Sequence, residues 1–92
     1  MLVAVVGGNL QGVEATYLAH KAGWEVILID KHSNAPASGL CDYFGEGDVT
    51  DAGSHSDILQ QADIIVPALE NLSTLKILQK KSMETGTPLA FD

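Results

Sequence analysis

Ninety-two residues, 46% of them apolar, hold one domain at most. A chain of that length buries only about 60–65% of its unfolded surface, so it is expected to lean on something else. The formal charge of −7 argues against a nucleic-acid partner or an anionic membrane, both of which are met by basic patches. It leaves a nucleotide open, because phosphates can be held by backbone N–H groups, by a metal or by a neighbouring domain.

The first element is a buried strand, residues 2–6, that breaks into Gly7-Gly8-Asn9-Leu10-Gln11-Gly12. A helix follows, with Ala15, Leu18, Ala19 and Ala22 as its apolar stripe, Glu14 and Lys21 off it, and Gly23 placed to end it. Glu25–Asp30 reads as a second buried strand with a carboxylate at its tip. Residues 31–40 are a loop or a short, weak helix, and a short third strand is expected near Tyr43–Glu46. A helix starts near residue 54, and Asp63–Val66 forms a fourth strand closed by Pro67. Asn71 caps a helix through about Lys81 with Leu72, Leu75 and Leu78 inward. Thr85-Gly86-Thr87 turns into a fifth strand.

The strands are apolar runs rather than alternations, the mark of a parallel sheet covered on both faces. The expected fold is therefore α/β: a half-Rossmann open parallel sheet of about five strands, order 3-2-1-4-5, with helices on both faces. Residues 1–92 make a single Rossmann-like domain. Ending on a strand with no closing helix, it is expected to be the N-terminal piece of a longer chain.

The candidate residues lie above the carboxyl ends of the strands. Gly7 permits a tight turn, Gly8 the close approach of a ligand, and Gly12 a helix seated close on the sheet; the plain alternative is a βα turn and nothing more. Asp30 stands where dinucleotide folds bind a ribose hydroxyl, or it caps the next segment. Asp48, with Val49, could meet an adenine, or form a Gly-Asp turn. Glu70 faces Asn9-Leu10-Gln11 across the crevice between strands 1 and 4. There a carboxylate and an amide suit the charged ends of an amino acid, although an acid near a helix N-terminus is favourable without any ligand. His20, His32 and His55 have no metal spacing; His20 reads as a helix-dipole partner and Cys41 as a small buried residue. No catalytic arrangement and no metal site stand out. The lone cysteine allows no intrachain disulfide and fits a reduced, cytoplasmic setting. Neither a signal peptide nor a membrane-length apolar run is seen.

The segment Val6-Gly7-Gly8-Asn9-Leu10-Gln11-Gly12-Val13-Glu14-Ala15-Thr16-Tyr17-Leu18, with Lys21-Ala22-Gly23, resembles the N-terminal domain of the ATP-grasp 3-methylornithine–L-lysine ligases of pyrrolysine biosynthesis, within the carbamoyl-phosphate synthase-like superfamily. Val26–Lys31, Cys41–Phe44 leading to Asp48, Pro67–Leu72 and Leu89–Asp92 agree in the same order. The chain departs from the family at Asn9, where lysine is common, and between strands 3 and 4.

The resemblance implies that Leu10, Gln11 and Glu70 line the amino-acid (lysine) site. It also implies that Asn9, Asp30, Asp48 and Val49, beside the Gly7-Gly8 turn, touch the nucleotide. The implied cofactors are ATP and magnesium, the magnesium held by an ATP-grasp body outside this chain. The implied partners are L-lysine, 3-methylornithine and that body, with homodimerisation left open. By itself the fragment is expected to catalyse nothing. Competing readings are the corresponding domain of a carbamoyl-phosphate synthase-like or biotin carboxylase-like enzyme, an NAD-binding domain of a dehydrogenase, and a non-catalytic regulatory domain.

Overall fold

The structure is a computed structural model that describes residues 1–48 and 56–90. Its centre is a parallel sheet of four strands, β1 (Leu2–Val6), β2 (Glu25–Asp30), β3 (Tyr43–Glu46) and β4 (Ile64–Pro67), in the order β3-β2-β1-β4. Between them run α1 (Leu10–Lys21), a 3₁₀ turn (Pro36–Gly39) and α2 (Ser56–Gln61); α3 (Leu72–Thr85) follows β4. No helix among the described residues is long and apolar enough to cross a membrane.

Period-two geometry divides the strand side chains between two cores. Val3, Val5, Val26 and Leu28 point to one face and pack with Ala19 of α1 and Ala37 of the 3₁₀ turn. Ala4, Val6, Ile29 and Ile65 point to the other and pack with Leu59 of α2, Ala62 just after it and Leu78 of α3. Both faces of the sheet are thus covered, which is why the strands read as unbroken apolar runs.

Among the described residues the expected fifth strand is one parallel bridge, Leu89 against Ile65, on the outer side of β4, and Phe91 and Asp92 of that strand lie outside them. Pro88 contributes only its carbonyl, accepting from Ile65 N at 2.8 Å, and Ala90 N returns a bond to Ile65 O at 2.8 Å. The order of the other four strands is as the sequence predicts. The α2 start expected near residue 54 lies outside the described residues, as does Val49. Pro67 is the last residue of β4 rather than a stop beyond it, and pairs in register with Val6.

Two helix phases differ from expectation. In α1 the buried residues are Gly12, Thr16 and Ala19, whereas Leu18 is 63% exposed and Ala22 is exposed too. The cause is Gly12: a Cβ there would lie 2.0 Å from Gly7 O, so this residue sits against the turn and sets the helix's rotation. Thr16 is buried as a result, with its hydroxyl unpartnered. In α3, Leu78 is buried and Leu75 half-buried, but Leu72 is 65% exposed. That helix runs to Thr85 because Gly86, at φ 76°, is the residue that accepts the left-handed cap. Its start is as expected, the Asn71 side chain accepting from Thr74 N at 3.0 Å.

His20 does more than face a helix dipole. Its Nε2 lies 2.7 Å from Asp42 Oδ2, and the same oxygen accepts from Val26 N at 2.8 Å, tying α1 to the entrance of β3. The Val26 N–H first, and the His20 ring second, hold the Asp42 carboxyl below its ordinary value. Cys41 is half-buried against the α1-side core, its thiol directed at Ser38 O (3.5 Å) and pushed up in pKa by burial.

Gly12→Ala should destabilise the protein by about 1–3 kcal/mol or more, since a methyl has no room beside Gly7 O. Gly39→Ala, where a Cβ meets nothing within 4 Å, should stay within about 0.5 kcal/mol. Urea unfolding of the two variants checks the contrast. Because Asp42 titrates low in the folded state, its contribution is complete above the unfolded carboxylate pKa of about 3.9. It fades as pH falls from there through the lowered native value. The melting temperature of Asp42→Asn should therefore lie below wild type at pH 7 and converge with it in acid.

Candidate functional site

β1 and β4 are neighbours whose following segments leave in different directions, so a crevice opens above their carboxyl tips. One bank begins at Gly7, whose φ of 109° a side chain rarely adopts and whose Cβ would lie 2.7 Å from Ala68 O. The turn and the β4 exit are therefore in contact at the floor. Across this floor Gln11 Nε2 donates to Glu70 Oε1 at 3.2 Å. The juxtaposition expected from strand order alone is present, between side chains 59 residues apart.

Two cavities flank this contact. The larger, about 510 Å³, is lined by Asn9, Leu10, Gln11, Lys31, His32 and Glu70 above Gly7, Asp30, Ala68 and Leu69. The smaller, about 390 Å³, brings Asp30, Lys31 and Asp48 opposite Asn71, Ser73 and Thr74 at the start of α3. Leu10, Gln11 and Glu70 thus fall together in one space, and Gly7, Asp30 and Asp48 in the other, with Gly7 and Asp30 shared. Asn9, grouped by resemblance with the nucleotide, lies instead with Gln11 and Glu70. Its side chain makes no capping bond to α1, unlike Asn71 on α3.

Gly8 lines neither cavity. It is buried, and a Cβ would lie 2.7 Å from the Ala35 methyl, so its close approach is to the protein's own loop rather than to a ligand. Its N–H donates to Asp30 Oδ2 at 2.7 Å, while Asp30 Oδ1 accepts from His32 N at 2.8 Å. Asp30 is thereby a brace between the β1 turn and the loop after β2, its side chain only 12% exposed. The cap expected as the plain alternative is present, and a ribose would have to share oxygens already engaged.

This arrangement bears on phosphate. In the pattern G-x-G-x-x-G the first glycine makes the turn, the second admits the pyrophosphate and the third packs the helix. Gly7 and Gly12 hold the first and third places here, while Asn9 holds the second. The Gly7 N–H is bound to Ile29 O at 2.9 Å and the Gly8 N–H to Asp30. Two carboxylates, Asp30 and Asp48, and one lysine line the smaller cavity. The residues present suit the neutral or hydroxyl-bearing part of a nucleotide and leave its phosphates to groups elsewhere. Among the described residues no cluster of three or more His, Cys, Asp or Glu could hold a metal ion.

Lys31 and His32 were not singled out as ligand-facing from the sequence. The signal was their position, directly after the tip of β2, where open α/β sheets bind ligands.

The fold and crevice are those of a Rossmann-like nucleotide-fold domain. Residues 3–90 match the family described as "PylC-like, N-terminal domain", and the chain belongs to that family. It is 36% identical over 91 residues to the 3-methyl-D-ornithine--L-lysine ligase of Methanosarcina acetivorans, covering 98% of this chain and 25% of that protein. The chain therefore spans about a quarter of the length of the curated relatives it matches, corresponding to the N-terminal part of such ligases. The N5-carboxyaminoimidazole ribonucleotide synthetase of Thermotoga maritima superposes with a TM-score of 0.81 at 25% identity, over 96% of this chain and 24% of that one. Saccharopine dehydrogenase (L-Glu forming) from Saccharomyces cerevisiae shares the fold at a TM-score of 0.78 and 20% identity, over 99% and 22% of the two chains.

Asp30→Asn should destabilise the fold by about 1–3 kcal/mol, because a carboxamide has one acceptor oxygen for two backbone donors. Urea unfolding without any nucleotide checks this. A loss of stability seen only in the presence of ATP would restore a ligand role in place of the brace.

Proposed function

We propose that this chain is the substrate- and nucleotide-contacting N-terminal domain of an ATP-grasp ligase that joins L-lysine to 3-methylornithine in pyrrolysine biosynthesis, working in the cytoplasm. The observation that carries the reading is the Gln11–Glu70 contact at the switch point, lining one cavity with Leu10. A carboxylate oriented by an amide is a receptor for an ammonium group. Asp30 and Asp48 face the second cavity, where a nucleotide's sugar and base would lie.

ATP, when bound, supplies the phosphoryl group that turns a carboxylate into an acyl phosphate. The lysine side-chain amine then attacks the acyl carbon, forming the C–N bond as inorganic phosphate leaves. This chain's part is to hold and orient the amino acid: Glu70 accepts from its ammonium and Gln11 keeps Glu70 in place. The phosphate-binding groups and the magnesium carboxylates are assigned to an ATP-grasp body. The dehydrogenase reading is weaker, because Asn9 occupies the pyrophosphate glycine position and the Gly8 N–H is already bonded.

Phosphate release by the full-length gene product with ATP and magnesium should require lysine and 3-methylornithine together. Glu70→Ala should raise KM for lysine about tenfold or more while KM for ATP stays within about twofold. Release supported by bicarbonate or another acid instead would move the enzyme to a different branch, and a defect confined to ATP would reject the role of Glu70.

A further inference from the structure

The larger cavity carries more charge than an ammonium receptor needs. Its titratable lining is two acids and two bases, Glu70 on one bank and Asp30, Lys31 and His32 on the other. Glu70 belongs to the β4 exit. Lys31 and His32 stand on the loop that Asp30 braces. We infer that this cavity is a clamp for the α-amino-acid head group, Glu70 taking the α-ammonium and Lys31, seconded by His32, taking the α-carboxylate. The inference rests on the amino-acid ligase reading and adds to it the carboxylate half of the subsite.

Three observations carry it. Lys31 is exposed, lines the cavity, and forms no hydrogen bond or ion pair among the described residues, so its ammonium is available. His32 is held from below, its N–H on Asp30 Oδ1 at 2.8 Å and its ring Nδ1 3.4 Å from the same oxygen. With Nδ1 turned to Asp30, Nε2 is the nitrogen left for a ligand. Glu70 is likewise held on one side only, by Gln11 on Oε1.

The chemistry also selects the ligand. A phosphate could be met by Lys31 and His32 but would leave the Glu70 carboxylate facing a like charge. A zwitterion brings one charge to each bank and no net charge to the cavity. Fixing both charged groups of the head leaves a side-chain amine free to project towards an acyl phosphate, which is what a ligase acting on that amine requires.

The test compares three amines in the full-length enzyme: lysine, cadaverine, which lacks the carboxylate, and 6-aminohexanoate, which lacks the α-ammonium. Wild type should prefer lysine to each in kcat/KM by about tenfold or more. Lys31→Ala should collapse the lysine-to-cadaverine ratio towards one through KM, and Lys31→Arg should keep it. Glu70→Gln should collapse the lysine-to-6-aminohexanoate ratio instead. A lysine-to-cadaverine ratio that survives Lys31→Ala, or equal losses on both amines, overturns the clamp alone. Phosphate release indifferent to lysine in the wild-type protein overturns the ligase reading and the clamp with it.

Discussion

The crevice depends on one carboxylate. Asp30 receives the Gly8 N–H with one oxygen and the His32 N–H with the other, and so joins the turn after β1 to the loop after β2. Without it, two glycine-bearing segments at the open edge of a parallel sheet would keep much of their backbone freedom. With it, the turn is held from one side by Asp30 and from below by Ala68 and Gly12, whose close contacts exclude a Cβ at Gly7 and at Gly12 alike. The position of α1, and with it Asn9, Leu10 and Gln11, follows from this packing.

The same brace explains how the site divides. Because Asp30 lies at the tip of β2, it forms the ridge shared by both cavities, and its charge reaches each. On one side it supports His32 and the loop carrying Lys31, opposite Glu70. On the other it stands with Asp48, across from the capped start of α3. Acids and bases are mixed along both cavities, Lys31 lining each of them beside Asp30.

β1, β2 and β4 were legible because each announces itself as a run of Val, Ile and Leu, whereas β3, Tyr43-Phe44-Gly45-Glu46, is short and only half-buried. Their order followed from right-handed crossovers, and it was strand order that put Glu70 opposite Gln11 before any distance was known. Helix rotation was less legible. The apolar stripe through Leu18 and Ala22 is a real periodicity, but Gly12 contributes nothing to a hydrophobic pattern while deciding, by close packing against Gly7 O, which face turns inward. Leu72 misled in the same way, as an apolar residue on the exposed first turn of α3. The role of Asp30 was legible only as a choice between ligand and cap, since backbone donors are invisible in a sequence. The close neighbour of Gly8 was illegible for that reason too: it is Ala35, 27 positions away.

A fold shared with a synthetase and with a dehydrogenase does not by itself say what the crevice holds. The discrimination lies in which backbone groups remain unbonded. A dinucleotide site needs a glycine turn whose amides face outward to a pyrophosphate. Here the Gly7 and Gly8 amides are bonded inward, to Ile29 O and to Asp30. A side chain, Asn9, also stands where the pyrophosphate would pass. The side chains that line the larger cavity around this turn are Gln11 from α1, Glu70 from the β4 exit, and Lys31 and His32 from the loop after β2. Side-chain pairs of opposite sign set across a cleft favour a small zwitterion over a polyanion, and it is on this ground that an amino acid is proposed as the occupant.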